Sequence, residues 1–180
     1  MVYFELDGNS AMMTTTVTSV NSTHKSLISG CIIDEETEKL PYVFTYDDPA
    51  GNPVPDFFKG KNIMSMKMLN VLKGCGVENI QVLPLTLIDK NSKRKREDYI
   101  VFNIIGLVSC AGQGESNFSP FDGGDFYQKR VINAEGVKGL SIFRVKESTI
   151  NIIVSEDVAK ALDVSEIRGI ILTSVADIVE

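Results

Sequence analysis

The chain has 180 residues, of which 43% are hydrophobic, and it carries a formal net charge of −6 with an isoelectric point near 4.9. This apolar content suffices for one well-buried core, and no Pro/Ser-rich linker divides the sequence, so we expect a single domain over residues 1–180. The negative charge opposes binding to nucleic-acid phosphates and favours a basic partner. The longest apolar segment, Tyr99 to Cys110, is shorter than the roughly 20 residues that a membrane span needs.

Cysteine usage and the first residues indicate the compartment. Cys31, Cys75 and Cys110 are widely separated and form no CxxC pair, which favours reduced thiols in a cytosol over a disulfide framework. Residues 1–5 carry neither a basic start nor a long apolar stretch, so no secretory signal is predicted. We therefore expect a cytoplasmic protein.

The predicted elements begin with a short strand over residues 2–6. Residues 11–25 are rich in Ser and Thr, and we expect a loop there with at most one exposed strand. Residues 27–33 and 40–46 are rich in branched and aromatic side chains, which predicts a hairpin around the acidic run 34–38.

A strand–helix–strand pattern then occurs twice. Ser65 and Ser155 each follow a short apolar run, and a serine hydroxyl there accepts hydrogen bonds from the free N–H groups of a helix's first turn. Apolar residues recur after both serines at three- and four-residue spacings, which predicts helices near 65–74 and 155–163. Aligning the serines also aligns the strands that follow, so we expect two similar building blocks. The aligned pairs are Val77 with Ile167, Ile80 with Ile170 and Val82 with Leu172.

Two long strand candidates lie at the centre of the sequence. Residues 80–88 and 99–109 are joined by a charged connection, which predicts an antiparallel hairpin. Both alternating faces of the second strand are apolar, so it should be covered on both sides. Another hairpin is predicted from residues 140–145 and 150–154. The pattern as a whole indicates an α+β fold, a mainly antiparallel sheet built from hairpins with two short helices packed on it.

Residues suited to catalysis or metal binding are few. His24 is the only histidine, so a small hydrolase or transferase would have to combine it with Ser116 or Cys110 as the nucleophile. Metal-ligand spacings, a phosphate-binding GKS or GKT and a complete dinucleotide motif are all missing from the sequence, and we expect no metal and no cofactor. The basic run 93–96 is flanked by acids at a predicted hairpin tip, which indicates a solvated turn and not a nucleic-acid site.

The segment 112–129 has the composition of a recognition surface. It is long for a loop and mixes aromatic residues with Gly, Ser and Asp. A loop folded over the core with its rings inward explains this composition equally well. On the first interpretation, the candidate partner-binding residues are Phe118, Phe121, Asp122, Asp125 and Phe126.

The order of several short motifs resembles a known bacterial family. The motifs are Pro55-Asp56-Phe57, Met64-Ser65 at a helix start, Val77-Glu78-Asn79-Ile80-Gln81-Val82-Leu83-Pro84, Tyr99-Ile100-Val101-Phe102-Asn103-Ile104, Ser116, Ile142-Phe143-Arg144, and Ile153-Val154-Ser155 with Gly169. Over residues 40–175 this order resembles the eleventh immunity class of polymorphic toxin systems, the myxobacterial type, formerly a domain of unknown function. Residues 1–39 form a divergent part with no clear counterpart.

The resemblance implies a small bacterial cytosolic protein that binds a cognate toxin and neutralises it by protein–protein contact. It implies no catalysis, and it agrees with the acidic balance because many such toxins are basic nucleases. Two other interpretations stay open. One is the small hydrolase or transferase that uses Ser116 or Cys110 with His24, and the other is a homo-oligomeric assembly module that pairs through an exposed strand edge.

Overall fold

The computed structural model describes residues 2–9, 15–20, 27–48, 51–110, 131–133 and 135–177. Its two α-helices are α1 (Met66–Gly74) and α2 (Glu156–Val164). The strands, in chain order, are β1 (Tyr3–Gly8), β2 (Thr16–Ser19), β3 (Tyr42–Asp47), β4 (Phe57–Phe58), β5 (Ile63–Ser65), β6 (Ile80–Leu83), β7 (Leu85–Asp89), β8 (Lys95–Arg96), β9 (Tyr99–Ile104), β10 (Leu107–Val108), β11 (Val131–Ile132), β12 (Ile142–Val145), β13 (Ser148–Ser155) and β14 (Ile170–Asp177). The predicted α+β class is confirmed.

The first of two similar units surrounds α1. This helix connects β5 to β6, and the two strands lie on either side of β9, to which both are antiparallel. Strand β4 pairs with the other edge of β5, which gives the order β4-β5-β9-β6. The unit is a split β-α-β arrangement, because a strand from later in the chain separates the two strands that the helix joins.

The second unit repeats this arrangement around α2. The helix connects β13 to β14, and here β1 lies between them, antiparallel to both. Strand β12 pairs with the other edge of β13, while β10 and β11 each add a parallel edge strand. The order is β10-β12-β13-β1-β14-β11. The predicted short N-terminal strand is therefore confirmed, and it takes a central place in this sheet.

The two units match in register as well as in topology. Ser65 pairs with Tyr99 on the inserted strand β9, and Ser155 pairs with Tyr3 on the inserted strand β1. The predicted repeat is confirmed, and the equivalence extends to strands that the repeated sequence pattern does not include.

Both helices begin at the predicted serines. Ser65 Oγ accepts from the Met68 N–H at 3.1 Å, and Ser155 Oγ accepts from the Val158 N–H at 3.5 Å. The apolar faces of the helices share one core with the adjoining faces of both units' sheets. The buried residues of these faces are Met68, Leu69 and Leu72 on α1, and Val158, Ala159 and Leu162 on α2.

Strand β9 is buried along its whole length. One face, with Ile100 and Phe102, belongs to the core beneath the helices, and the other, with Tyr99 and Val101, packs against a third sheet of order β2-β3-β7-β8. The prediction of a strand covered on both faces is confirmed. The strand ends at Ile104 and not at Ser109, because the chain turns at Gly106, whose φ is +96°.

Two of the predicted hairpins are wrong in detail. Residues 80–88 form two strands because Pro84, which has no N–H to donate to a ladder, separates β6 from β7. Only β6 pairs with β9, whereas β7 pairs with β3 and β8. Residues 27–33 form no strand, and β3 pairs instead with β2 and β7. The β12–β13 hairpin is confirmed.

Two cations at equivalent positions link the units. Lys59 Nζ of the first unit lies 3.4 Å from Glu5 Oε1 and 3.3 Å from Asp7 Oδ1, both on β1. Arg144 of the second unit donates from Nη2 to Asn62 Oδ1 at 2.6 Å. Burial lowers the pKa of Lys59 and lowers that of Arg144 to about 10, because a low-polarity surrounding disfavours the charged form. Each unit thus contributes one cationic side chain that contacts the other unit.

Candidate functional site

The two units meet at two equivalent places, which we name the closed seam and the open seam. The closed seam joins residues 55–56 of the first unit to residues 168–169 of the second. The open seam joins residues 78–79 of the first unit to residues 140–142 of the second. Equivalence follows from the strand register and from one repeated bond. The Ser65 N–H donates to Asp56 O as the Ser155 N–H donates to Ser141 O.

The closed seam is tightly packed. The Asp56 N–H donates to Arg168 O at 2.9 Å, and the Arg168 N–H donates to Asp56 Oδ2 at 2.9 Å. Arg168 Nε lies 3.7 Å from the same carboxylate oxygen, which is almost fully buried. Gly169 has φ +79°, and a Cβ added there would lie 2.5 Å from Pro55 Cβ. Only glycine permits this close approach of the two backbones.

The open seam contains a cleft of about 430 Å³ lined by residues 76–79, 105–108 and 139–143. Val77 and Phe143 are buried at its base, and Leu140 is 38% exposed at its rim. Glu78 is the one charged residue among those that line the cleft in the described part of the chain, and its side chain is exposed. A volume of this size is typical of binding clefts, which span about 300–1,000 Å³.

Residue 79 explains why this seam is open. The Ile105 N–H donates to Asn79 O as the Asn9 N–H donates to Gly169 O, so Asn79 is the counterpart of Gly169. The Asn79 amide donates from Nδ2 to Ile105 O and to Ile142 O, at 3.2 Å each. A hydrogen-bonded side chain therefore bridges the two segments at the position where glycine permits direct backbone packing in the closed seam.

The charges of the two seams also differ. Glu78 stands at the position of Arg168, and Ser141 stands at the position of Asp56. Over the described ranges, neither of the two hydrogen bonds that close the first seam recurs between these residues. The open seam therefore presents a carboxylate where its counterpart presents a paired guanidinium.

Most of the candidate residues from the sequence fall outside the described part of the chain. Phe118, Phe121, Asp122, Asp125 and Phe126 fall in residues 111–130, outside the described residues. The same is true of His24 and Ser116, two of the three residues in the enzyme interpretation. The described chain reaches residues 109–110 directly after the strand that lines the open-seam cleft.

The third residue of the enzyme interpretation, Cys110, is described and buried. Burial, and secondarily the charge of Glu147, raises the pKa of the thiol to about 11. A nucleophilic cysteine requires the opposite, a lowered pKa that yields thiolate near neutral pH. The environment of Cys110 suits a small apolar core residue, as its place in a hydrophobic cluster with Tyr3 and Phe143 indicates.

The basic run 93–96 lies partly in the turn between β7 and β8 and partly in β8, whereas the prediction placed it at the tip of a hairpin between residues 80–88 and 99–109. Lys93 takes a left-handed conformation with φ +58°, and Arg96 pairs with Asp98 at 2.5 Å. Its guanidinium lowers the pKa of the Asp98 carboxyl. The Asp98 carboxylate thus neutralises the charge of Arg96, one of the basic side chains of the run.

Sequence reasoning missed the residues that distinguish the two seams. Asn79 and Glu78 are ordinary residue types in a short connection, and no catalytic or binding pattern marks them. A signal was nevertheless available, because the alignment of Ser65 with Ser155 places them opposite Gly169 and Arg168. The informative positions are those at which the two copies differ in size or charge.

Two simple patterns concern the described residues, a cluster of metal ligands and a membrane-spanning helix. In the ranges that the structure describes, no three His, Cys, Asp or Glu side chains come together as metal ligands would. Neither α-helix of the described chain has the length and apolar content to cross a bilayer.

Comparison with known families identifies the class. The sequence model of the immunity protein family (Imm11) matches residues 12–177, which is most of the chain. The protein therefore belongs to the Imm11 immunity protein family, and the resemblance stated from the sequence is confirmed. The match extends further towards the N-terminus than residues 40–175, the region that carries the motifs. A search among curated proteins gives no match.

Proposed function

We propose that this protein neutralises a cognate bacterial toxin in the cytoplasm of the producing cell by binding it, without catalysis. The single observation that carries the proposal is the family match over residues 12–177. The open-seam cleft and the net charge of −6 support it, because they provide an indented surface and a long-range attraction for a basic protein.

We propose that the partner-binding residues predicted from the sequence contact the toxin. Phe118, Phe121 and Phe126 would supply aromatic anchors, and Asp122 and Asp125 would supply charges that orient a basic partner. In the sequence, the segment follows β10, the strand that lines the cleft. We also propose that residues 1–180 act as one domain.

Co-expression with the toxin encoded by the neighbouring gene tests the function. We expect the protein to restore growth of cells that express the toxin, and to co-purify with an inactivated form of it. Replacing Phe118 or Phe121 by Ala should weaken binding by about 2 kcal/mol or more, roughly thirtyfold in Kd, because few interface residues carry most of the energy. Titration calorimetry with the inactivated toxin measures the change.

A matched control is Val164→Ala on α2, which removes an exposed apolar side chain, 82% accessible, from another face. This variant should bind like the wild type. Failure of the wild type to protect cells or bind, with every plausible neighbouring toxin tried, contradicts the function. Wild-type binding that is unchanged in both Phe variants contradicts only the proposed anchors.

A further inference from the structure

We propose that the open-seam cleft receives an extended segment of the toxin, with a Lys or Arg side chain of that segment facing Glu78. The inference rests on the proposed function, which it deepens by naming the surface and the chemistry of the group that occupies it. The closed seam indicates what kind of segment binds there, because at the equivalent position the protein's own residues 55–56 pack against residues 168–169.

The closed seam shows what fits between the units. Residues 55–56 lie against the connection that leads into β14, and they exchange two hydrogen bonds with Arg168 while the Pro55 ring lies against Gly169. At the open seam, the segment equivalent to 55–56 and the connection that leads into β6 both line a cleft, and the Asn79 side chain bridges from that connection to Ile142 O. The resulting space has the position of an extended strand end, so an extended segment from a partner matches it in shape.

The charge of Glu78 favours a basic side chain in the partner. In the closed seam, Asp56 and Arg168 neutralise each other. In the open seam, the counterpart of Arg168 is Glu78, and its opposite neighbour is the neutral Ser141. Within the part of the chain that the structure describes, no cation lies at ion-pair distance from Glu78. A basic side chain from the toxin supplies the missing charge, and the protein's net charge of −6 favours its approach.

The remainder of the cleft suits the apolar part of such a segment. Val77, Leu107 and Phe143 contribute its walls, and Leu140 is 38% exposed at the rim. Lys and Arg side chains have apolar stems that pack along such walls while their charged ends meet a carboxylate at the rim. A single Lys or Arg side chain can therefore contact both the apolar walls of the cleft and the Glu78 carboxylate.

Charge reversal at the rim is the first test. Glu78→Lys should weaken binding of the inactivated toxin at least about tenfold, because like charges then face each other. The matched control is Glu97→Lys, which makes the same change at an exposed carboxylate beside β8, away from the cleft. The control should stay within about twofold of the wild type. Both residues are exposed, so both variants should keep the wild-type unfolding midpoint.

Thiol protection tests occupancy of the cleft directly. Leu140→Cys, made together with Cys31→Ser to remove the exposed native thiol, places a reactive group at the rim. A maleimide should modify this thiol rapidly in the free protein, and the inactivated toxin should slow the reaction at least about tenfold, as expected for a buried interface position.

The outcomes separate this inference from the function on which it rests. If the wild type neither binds nor protects, both are wrong. If the wild type binds, but Glu78→Lys binds like Glu97→Lys and the toxin leaves the introduced rim thiol reactive, only the cleft assignment is overturned. Protection of that thiol in the free protein at every concentration would mean that this chain fills its own cleft. Protection that rises with concentration would mean a second copy, and either result overturns the proposal.

Discussion

At the scale of single residues, one pair of equivalent positions decides how the two halves of the molecule meet. Gly169 lets the backbone of one unit lie directly against Pro55 of the other, whereas Asn79 inserts a hydrogen-bonded amide at the same place. Both residues belong to the short motifs that carry the family resemblance, but no catalytic or binding pattern marks either of them. Their importance follows from geometry, because glycine allows direct backbone contact where asparagine bridges two segments through its amide.

Gly169→Ala tests this account of the closed seam. The change forces a left-handed backbone on a residue with a Cβ, and places that Cβ 2.5 Å from the Pro55 ring. We expect a loss of about 2–4 kcal/mol in the free energy of unfolding, since backbone strain and overpacking add. Urea denaturation measures it.

Gly76→Ala is the control for backbone strain alone. Gly76 has a similar φ of +75°, but nothing lies within 4 Å of an added Cβ. We expect a loss of about 1–2 kcal/mol from the left-handed conformation only. Equal losses in the two variants would show that overpacking against Pro55 adds nothing to the cost of backbone strain.

At the scale of elements, the sequence predicts the local features and leaves the long-range ones undetermined. The capping serines and the spacing of apolar residues predict α1 and α2 because a helix is specified by neighbours three and four positions apart. The order of strands depends on pairings between distant segments, which no local pattern encodes. For this reason the sequence does not predict the insertion of β9 into one unit and β1 into the other, and the break at Pro84 is missed as well.

The two helix caps should differ in strength. Ser65 is buried and accepts from the Met68 N–H at 3.1 Å, and the first turn of α1 has no acidic residue. Ser155 makes a longer bond of 3.5 Å, and Glu156 and Asp157 already favour the N-terminus of α2. Ser65→Ala should therefore cost about 1–2 kcal/mol and Ser155→Ala about 0.5–1 kcal/mol.

Thermal and urea unfolding of both variants measure this difference. A larger loss from Ser155→Ala would mean that acidic residues in the first turn do not compensate for a weaker cap.

At the scale of the whole molecule, the first residues of the chain complete a sheet built mainly from the last. Strand β1 lies between β13 and β14, and its Tyr3 and Leu6 side chains are each 1% exposed. The motifs that carry the resemblance begin after residue 39, since short strands such as β1 and β2 carry little specific pattern, although the family model matches from residue 12. The α+β class is predictable because it rests on the longer repeated pattern, and the family is predictable from the order of the short motifs.

Removal of residues 1–9 should abolish cooperative folding. The deletion leaves both neighbouring strands without their central partner and uncovers two hydrophobic clusters at once. We expect loss of the urea unfolding transition and aggregation of the truncated protein, followed by near-ultraviolet circular dichroism and light scattering. Addition of a synthetic peptide of residues 1–9 should restore part of the signal.

Tyr3→Phe is the matched control for this deletion. It removes only the hydroxyl that donates to Val137 O at 2.6 Å, and it should cost about 1 kcal/mol while the protein stays folded. A truncated chain that unfolds at the same urea concentration as the full chain would contradict the structural role of β1.

The equivalence of the two units has an evolutionary consequence. Two identical halves that assemble reciprocally bury two identical junctions, and a change that loosens one loosens the other. Once both halves belong to a single polypeptide, the junctions become separate targets of selection. The residues of one junction can then vary while the other junction preserves the fold.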